Sequence, residues 1–372
     1  MRRKAVLLMG SLLLFTVFME VGARAIQHWH WLRPSVTDVP PPPPSSFEIT
    51  GSLSQITELR PLAFPATSYR VAEESRFNYE GGVWLPHRNE KTQVKMVNQQ
   101  SGQVVREIRV TTDAHARRVP SWQRARAQTA KLHMVFFGCS ITWGYGVNDD
   151  ETYPALISQD SENLITYNLA AGGYGLGELL TRAQMGDSLE DIQPKTGIGI
   201  YAMFEGHIRR FHNSAFLAGS WRQGGVEIVE TSEGKFESRG PVNIANPVWY
   251  WFSRLWNASS LVHLVNVDLP LLSQSRIDQF VRGIVALRNR YHQETDVTNP
   301  FVVVILPYGF DPRPLRLALE QNEIHFIDYS RNPLFTRLQG PEFLPGEIHP
   351  TPEAHRMLAT VIKRDLAKIG NL

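Results

Sequence analysis

The chain contains only one cysteine, Cys139, among its 372 residues. A single cysteine excludes an intramolecular disulfide and a cysteine-based metal site. No cysteine near the start can carry a lipid. A lone cysteine is most often a small buried residue. Disulfide-stapled domains and zinc-ribbon proteins are therefore excluded as classes.

The chain also lacks a large excess of either positive or negative charge. The 38 Lys and Arg residues oppose 36 Asp and Glu residues, which gives a formal net charge of +2. The basic residues are scattered, and no basic run is long enough to follow a phosphate backbone. Nucleic acid is therefore not expected as a partner. The hydrophobic fraction of 42% and the charged fraction of 20% are typical of a folded protein with a core.

The N-terminal apolar run is shorter than a comfortable bilayer span. It covers residues 5–19, follows the basic residues 2–4 and precedes an Ala-Arg-Ala sequence at 23–25. This order predicts a signal peptide or a membrane anchor over residues 1–25. Both alternatives stay open. Either way the rest of the chain is expected outside the cytoplasm, held at a membrane or released to the periplasm or medium.

The next segments differ in composition. Residues 26–46 include five consecutive prolines at 40–44 and are predicted to be an extended linker. Residues 47–130 show rough alternation of apolar and polar residues at 94–97 and 104–111, which predicts a small β-rich lead-in.

From residue 131 short apolar runs alternate with helical patterns. The runs are rich in Val, Ile and Phe, as strands buried on both faces are. They occupy residues 134–137, 165–169, 198–204, 301–306 and 324–327. The helical patterns occupy 176–189, 277–291, 314–321 and 352–369. This alternation predicts a parallel α/β sheet with functional residues on loops at the carboxyl ends of its strands.

One stretch interrupts the alternation. Residues 221–242 are predicted to form an inserted β-hairpin. Five aromatic residues follow between Trp249 and Trp256. Core packing is the favoured interpretation of this cluster, while a membrane-interface belt and a sugar-stacking surface stay open.

A serine and a histidine are the candidate catalytic pair. Ser140 lies in a glycine-flanked turn, Gly138-Cys139-Ser140, directly after an apolar run. Its hydroxyl needs a base to become a nucleophile. His349 precedes the last helical pattern, and Glu347, two residues earlier, is placed to orient the imidazole. The two loops are expected at one edge of the sheet.

These motifs resemble the SGNH (GDSL-type) hydrolase superfamily from residue 131 to the C-terminus. The first family block, usually Gly-Asp-Ser, resembles Gly138-Cys139-Ser140, with cysteine in place of aspartate. The second resembles Asn168-Leu169-Ala170-Ala171-Gly172-Gly173. The resemblance implies Ser140 as nucleophile, with the backbone N–H groups of Ser140 and Gly173 binding the oxyanion. The lead-in resembles, more weakly, that of membrane-anchored members.

The other two blocks depart from the family pattern. The third normally contains Gly-x-Asn-Asp, but this chain has Glu205-Gly206-His207, so that His207 is the candidate third oxyanion donor. The fifth resembles Glu347-Ile348-His349-Pro350, with glutamate for the usual aspartate. A literal Gly-Asp-Ser at residues 186–188 follows no strand and is interpreted as the end of a helix.

The resemblance implies a flavodoxin-like three-layer α/β/α sandwich with about five parallel strands. The implied function is a serine esterase, or acyl hydrolase, that needs no cofactor and no metal. Its expected partners are an acyl ester substrate, an acylated glycan or lipid among the options, and a membrane through the N-terminal anchor. An O-acyltransferase that modifies a polysaccharide outside the cytoplasm and a catalytically inactive carbohydrate-binding protein stay open as alternatives. A lipid-directed esterase is a further option.

Overall fold

The computed structural model describes Glu20 and residues 47–51, 56–59, 77–80, 83–98, 104–186, 188–221, 225–308, 311–330 and 349–369. The strands of these residues are β1 (Phe47–Gly51), β2 (Ile56–Leu59), β3 (Phe77–Glu80), β4 (Val83–Pro86), β5 (Lys91–Asn98), β6 (Val104–Thr111), β7 (Leu132–Phe137), β8 (Leu164–Asn168), β9 (Gly197–Met203), β10 (Val226–Glu230), β11 (Phe236–Pro241), β12 (Phe301–Ile305) and β13 (His325–Asp328). The α-helices are Gln123–Arg126, Ser140–Trp143, Tyr153–Ser158, Leu176–Gln184, Glu205–Phe211, Ala215–Ser220, Val242–Ala245, Pro247–Ala258, Ser260–Val265, Gln274–Glu294, Arg313–Gln321 and Pro352–Leu366, with a 3₁₀ turn at Asp149–Glu151.

Five strands form the central sheet in the order β13-β12-β9-β7-β8. Every neighbouring pair is parallel. All residues of β8, β9 and β12 are buried, as expected for strands covered on both faces. The five apolar runs of the sequence therefore correspond to these five strands, and the predicted parallel α/β sheet is confirmed.

Helices cover both faces of this sheet. Successive residues of β7 point to opposite sides, so that Val135 joins one apolar core and Phe136 the other. Residues of the long helix Gln274–Glu294 pack in the first core, and residues of the helix Pro352–Leu366 pack in the second. The result is the predicted three-layer α/β/α sandwich.

The lead-in is rich in β-structure, as predicted. Strands β2-β1-β5-β6 form an antiparallel sheet, and β3 pairs with β4. Strands β10 and β11 form a separate antiparallel pair. The segment boundaries proposed from composition, at residues 25, 46 and 130, stay predictions.

The predicted signal or anchor, residues 1–25, lies outside the described residues except for Glu20. Among the described residues, no helix combines the length and the apolar composition that a bilayer crossing requires.

Two fully buried histidines are held neutral by their surroundings. His133 in β7 lies with Nδ1 2.6 Å from the carbonyl oxygen of Pro194 and Nε2 2.6 Å from the hydroxyl of Tyr291. Burial lowers its pKa to about 4. His355 accepts a hydrogen bond from the Tyr153 backbone N–H at Nδ1 (3.2 Å), and burial lowers its pKa to about 3. An unfolded chain would protonate both rings near pH 6.5.

The free energy of unfolding is therefore expected to fall as the pH drops from about 6.5 to 4, by up to about 1.4 kcal/mol per pH unit for each buried histidine. Stability falls with falling pH because the imidazole rings bind protons in the unfolded state over this range but stay neutral in the native state. Urea unfolding at a series of pH values measures the slope. His355→Asn, which keeps an acceptor near Nδ1, should flatten it, whereas His325→Asn at an exposed position should leave it unchanged. An unchanged slope in His355→Asn would contradict this account.

Candidate active site

Ser140 is the first residue of the short helix Ser140–Trp143, which follows β7 after a two-residue turn. A Cβ at Gly138 would lie 2.1 Å from Thr142 Oγ1, so the turn has room only for glycine. Cys139 is fully buried and belongs to an apolar core, whereas Ser140 keeps part of its surface exposed. The turn therefore separates the two side chains, with the thiol inside and the hydroxyl at the carboxyl edge of the sheet.

His349 lies beside Ser140, although 208 residues separate them in sequence. Its Nε2 is 2.9 Å from Ser140 Oγ, which is hydrogen-bonding distance. The His349 side chain is almost completely buried, and the ring of Tyr145 packs over it with a centroid distance of 4.4 Å. The helix Pro352–Leu366 starts just after His349, and Thr351 caps it by accepting from the Ala354 N–H. The structure thus brings together the two residues of the predicted pair.

The predicted third member of the triad, Glu347, lies outside the described residues. Its role in orienting the His349 imidazole stays a prediction.

The predicted oxyanion donors from the backbone lie at two turns. The Ser140 N–H opens a helix, where the first N–H groups have no partner within the helix itself. Gly173 follows β8 and has a φ of +76°, a conformation that other residues rarely adopt. Arg210 holds this second turn by donating to the Tyr174 carbonyl at 2.7 Å. The participation of Gly173 in catalysis stays a prediction.

His207, the predicted third donor, is fully buried in the helix Glu205–Phe211. Its Nδ1 lies 2.8 Å from the hydroxyl of Tyr201, and Nε2 makes no hydrogen bond within the described residues. Burial, together with the nearby charge of Arg210, lowers the pKa of His207 well below its usual value, so the ring is neutral. Its part in binding an oxyanion is likewise a prediction.

Asn168 connects the turn at Ser140 to the turn at Gly173. Its side-chain amide donates to the carbonyl of Thr142 at 2.9 Å, and its Oδ1 accepts from the Ala170 N–H at 3.2 Å. It therefore ties the end of β8 to the helix that begins at Ser140. The sequence contained this asparagine in the second block, but nothing in its spacing assigned it this contact.

A buried arginine from the lead-in fixes the loop after Ser140. Arg118 is 2% exposed and its backbone N–H bonds to the Asn168 carbonyl. All five N–H groups of its guanidinium are used. They donate to Asp149 Oδ1 (2.8 Å) and to the carbonyls of Arg109 (3.1 Å), Trp143 (2.9 Å), Gly144 (2.5 Å) and Val147 (2.6 Å). Burial lowers the pKa of Arg118 and raises that of Asp149, and the ion pair between them opposes both shifts. Sequence reasoning found no functional cluster in the lead-in and missed this residue.

Two tryptophans form an aromatic wall next to Gly173. Trp84 in β4 and Trp221 meet edge to face with a centroid distance of 5.7 Å. A Cβ on Gly173 would lie 3.2 Å from Trp84 and 3.8 Å from Trp221. The indole N–H of Trp84 donates to the Gly172 carbonyl at 2.8 Å. The lead-in therefore supplies one side of the surface beside the predicted oxyanion turn.

The literal Gly-Asp-Ser sequence lies elsewhere. Ser188 is 1% exposed and its hydroxyl donates to the carbonyl of Arg182, the residue two positions before the end of the helix Leu176–Gln184. Asp187 is outside the described residues. Within the part of the chain that is described, no three His, Cys, Asp or Glu side chains are grouped closely enough to hold a metal ion.

No protein-family model matches the chain, and no curated protein matches it in a sequence comparison. A search of solved structures finds similarities at low identity. A putative lipolytic protein of the G-D-S-L family from Desulfitobacterium hafniense is 13% identical, with a TM-score of 0.35, over 62% of this chain and 98% of that one. The psychrotrophic esterase EstA from Pseudoalteromonas sp. is 11% identical, with a TM-score of 0.37, over 64% and 99%. AlinE4, an SGNH-hydrolase family esterase, is 15% identical, with a TM-score of 0.31, over 64% and 96%. Similarities at this level carry no inference about catalysis.

Replacing Arg118 by methionine is expected to destabilise the protein by about 3–5 kcal/mol, because Asp149 would stay buried without its cation. Urea unfolding measures the loss. Arg313→Met is the matched control, since Arg313 pairs with Asp311 at an exposed position. Its midpoint should stay almost unchanged. The double variant Arg118→Met with Asp149→Leu should recover part of the loss, and a wild-type midpoint in Arg118→Met alone would refute the assigned role.

Proposed function

We propose that the chain is a serine ester hydrolase of the SGNH type that removes ester-linked acyl groups. The observation that carries this proposal is the 2.9 Å contact between Ser140 Oγ and His349 Nε2. A serine hydroxyl bonded to an imidazole is the arrangement that produces an alkoxide-like nucleophile at neutral pH. The partly exposed position of Ser140, next to a fully buried Cys139, favours the hydroxyl over the thiol as the attacking group.

In the first step, His349 Nε2 accepts the proton of Ser140 Oγ as this oxygen attacks the ester carbonyl. The carbonyl oxygen becomes an oxyanion, which the N–H groups of Ser140 and Gly173 are proposed to bind, with His207 as the third candidate. The proton then passes from His349 to the leaving alcohol oxygen, and the bond between carbonyl carbon and alcohol oxygen breaks. An acyl-Ser140 ester remains.

In the second step, His349 removes a proton from water, and the resulting hydroxide attacks the acyl-enzyme. The carboxylic acid leaves, and the proton returns to Ser140 Oγ. Glu347 is proposed to stabilise the imidazolium formed in both steps. Neither step requires a metal or an organic cofactor.

We place this activity outside the cytoplasm, because basic residues 2–4 precede the apolar run 5–19. The substrate class is an acylated glycan or lipid. The aromatic wall of Trp84 and Trp221 beside Gly173 favours a glycan, since a flat aromatic ring suits stacking of a sugar ring. The same wall favours the second candidate function, an O-acyltransferase in which a sugar hydroxyl replaces water in the second step.

A fluorophosphonate probe is expected to label the wild-type protein at Ser140, because the probe traps an activated serine as a stable phosphonate. Ser140→Ala should abolish labelling and lower kcat on p-nitrophenyl acetate by on the order of 10⁴-fold or more. Mass spectrometry of the labelled peptide identifies the site.

Two controls separate this serine from its neighbours. Ser188→Ala in the literal Gly-Asp-Ser sequence and Cys139→Ala next to the nucleophile should both keep labelling and esterase activity. A folded wild-type protein that the probe fails to label would favour the carbohydrate-binding alternative, in which the site no longer reacts.

Hydrolysis and transfer differ in the fate of the acyl group. Incubation with p-nitrophenyl acetate and an oligosaccharide should give acetate in equal amount to nitrophenol if water is the acceptor. An acyltransferase would give an O-acetylated oligosaccharide and release nitrophenol faster when the acceptor is added. Mass spectrometry of the oligosaccharide, with Ser140→Ala as the blank, decides between the two functions.

A further inference from the structure

The helix Pro247–Ala258 turns its large apolar side chains to solvent. Val248 is 80% exposed, Trp251 65% and Leu255 74%, with Phe252 at 38% between them. The spacing i, i+3, i+4 and i+7 places all four on one face. The favoured prediction that this aromatic cluster belongs to the core is therefore wrong for this face.

The helix contacts the rest of the protein through Ser253 and through the indole N–H groups of Trp249 and Trp256, which donate to the carbonyls of Asn213 (2.8 Å) and Val267 (3.0 Å). Ser253 is the only buried residue of this helix. It lies against the helix Ala215–Ser220, where a Cβ on Gly219 would come within 2.2 Å of the Ser253 carbonyl oxygen. Soluble amphipathic helices usually bury their large apolar face. Here the contacts with the body of the protein come from another face, which leaves the side chains of Val248, Trp251 and Leu255 exposed.

The exposed apolar surface extends over the neighbouring segments. Of the ten large apolar side chains that are exposed among the described residues, eight lie between residues 244 and 271. We call them the apolar patch: Ile244, Val248, Trp251, Phe252, Leu255, Leu264, Val265 and Leu271. Concentration of exposed apolar residues in one segment marks an interaction surface.

The charge of this segment suits an anionic surface. Between residues 244 and 271 the sole acidic residue is Asp268, which is 9% exposed and paired with Arg209 at 3.1 Å. Arg254 is exposed within the helix that carries most of the patch. The segment therefore has no exposed carboxylate that anionic lipid headgroups would repel.

Glu20 joins the N-terminal segment to this region. Its carboxylate accepts hydrogen bonds from the Ser259 hydroxyl (2.7 Å) and from the N–H groups of Ser260 (2.7 Å) and Leu261 (3.0 Å). Glu20 directly follows the apolar run 5–19 in sequence. Cleavage after residue 25 would remove the acceptor of these three donors, which favours the uncleaved anchor.

We propose that the helices Pro247–Ala258 and Ser260–Val265 form a membrane-binding surface that lies in the headgroup region of the bilayer, next to the retained N-terminal anchor. Helices with one apolar face and interfacial Trp residues lie in this plane of a bilayer. The anchor holds the patch at the membrane, and the patch fixes how the protein sits on it. This proposal does not depend on the activity of Ser140.

The test measures the depth of single residues, because the anchor alone would carry the whole chain to vesicles. The full chain with Cys139→Ala receives one new cysteine, at Val248 or Leu255 in the patch, or at Leu317 as control. Leu317 is 57% exposed in a helix far along the chain and outside the patch. Each cysteine carries an environment-sensitive nitrobenzoxadiazole label. The proteins are reconstituted in vesicles of phosphatidylethanolamine and phosphatidylglycerol that contain a lipid with a spin label high on its acyl chain.

Labels at 248 and 255 should emit at shorter wavelength and be quenched about twofold or more compared with the label at 317. Equal quenching at all three positions would overturn the proposal. An apolar environment without lipid quenching would also overturn it, and would show that protein covers the patch. If the apolar environment is lost when the protein is diluted, the patch is covered by a second copy of the chain. If it persists on dilution, the patch is covered by the N-terminal segment.

A charged variant provides a second readout. Trp251→Glu with Leu255→Glu changes two exposed positions and should leave the unfolding midpoint unchanged. In this variant the label at 248 should lose its extra quenching while the protein stays on the vesicles through the anchor. Full quenching at 248 in the charged variant would argue against insertion of this face.

Discussion

The guanidinium of Arg118 joins the lead-in to the edge of the sheet that carries Ser140. It is buried, and it satisfies four backbone carbonyls and one carboxylate with its five donors. Three of those carbonyls belong to residues 143–147, the loop that follows Ser140. The backbone of Arg118 also pairs with Asn168, whose amide holds the helix of Ser140. The position of Ser140 therefore depends on a residue of the lead-in. The lead-in is a structural part of the site and not a spacer.

The sheet was predictable because its strands are buried on both faces. Such strands must be apolar at every position, so that runs such as 301–306 stand out in the sequence without any alternation to interpret. The pairing of Ser140 with His349 was predictable for a related reason. Parallel strands place their following loops at one edge, and only a few side chains on those loops can act as nucleophile or base.

The contacts of Arg118 and the orientation of the helix Pro247–Ala258 could not be predicted from any local sequence pattern. Arg118 follows another arginine in a polar stretch, and only the three-dimensional structure shows that Arg118 is surrounded by carbonyls whereas Arg117 pairs with Asp113 and Asp191. The helix Pro247–Ala258 has the composition of a core helix. Its orientation goes with the close approach of Ser253 to Gly219 and with the hydrogen bonds of Trp249 and Trp256 to the body of the protein. Hydrophobic composition cannot predict such an orientation, since an apolar helix face can pack in a core, bind a partner protein or bind a membrane.

The complete burial of Cys139 has a consequence for the chemistry of the whole chain. It carries the only thiol, and that thiol lies in the core behind the turn of Ser140. Oxidants attack accessible thiolates, and cross-linking of two chains needs a thiol at the surface. While the protein is folded, its thiol is therefore protected from oxidation and from disulfide cross-linking.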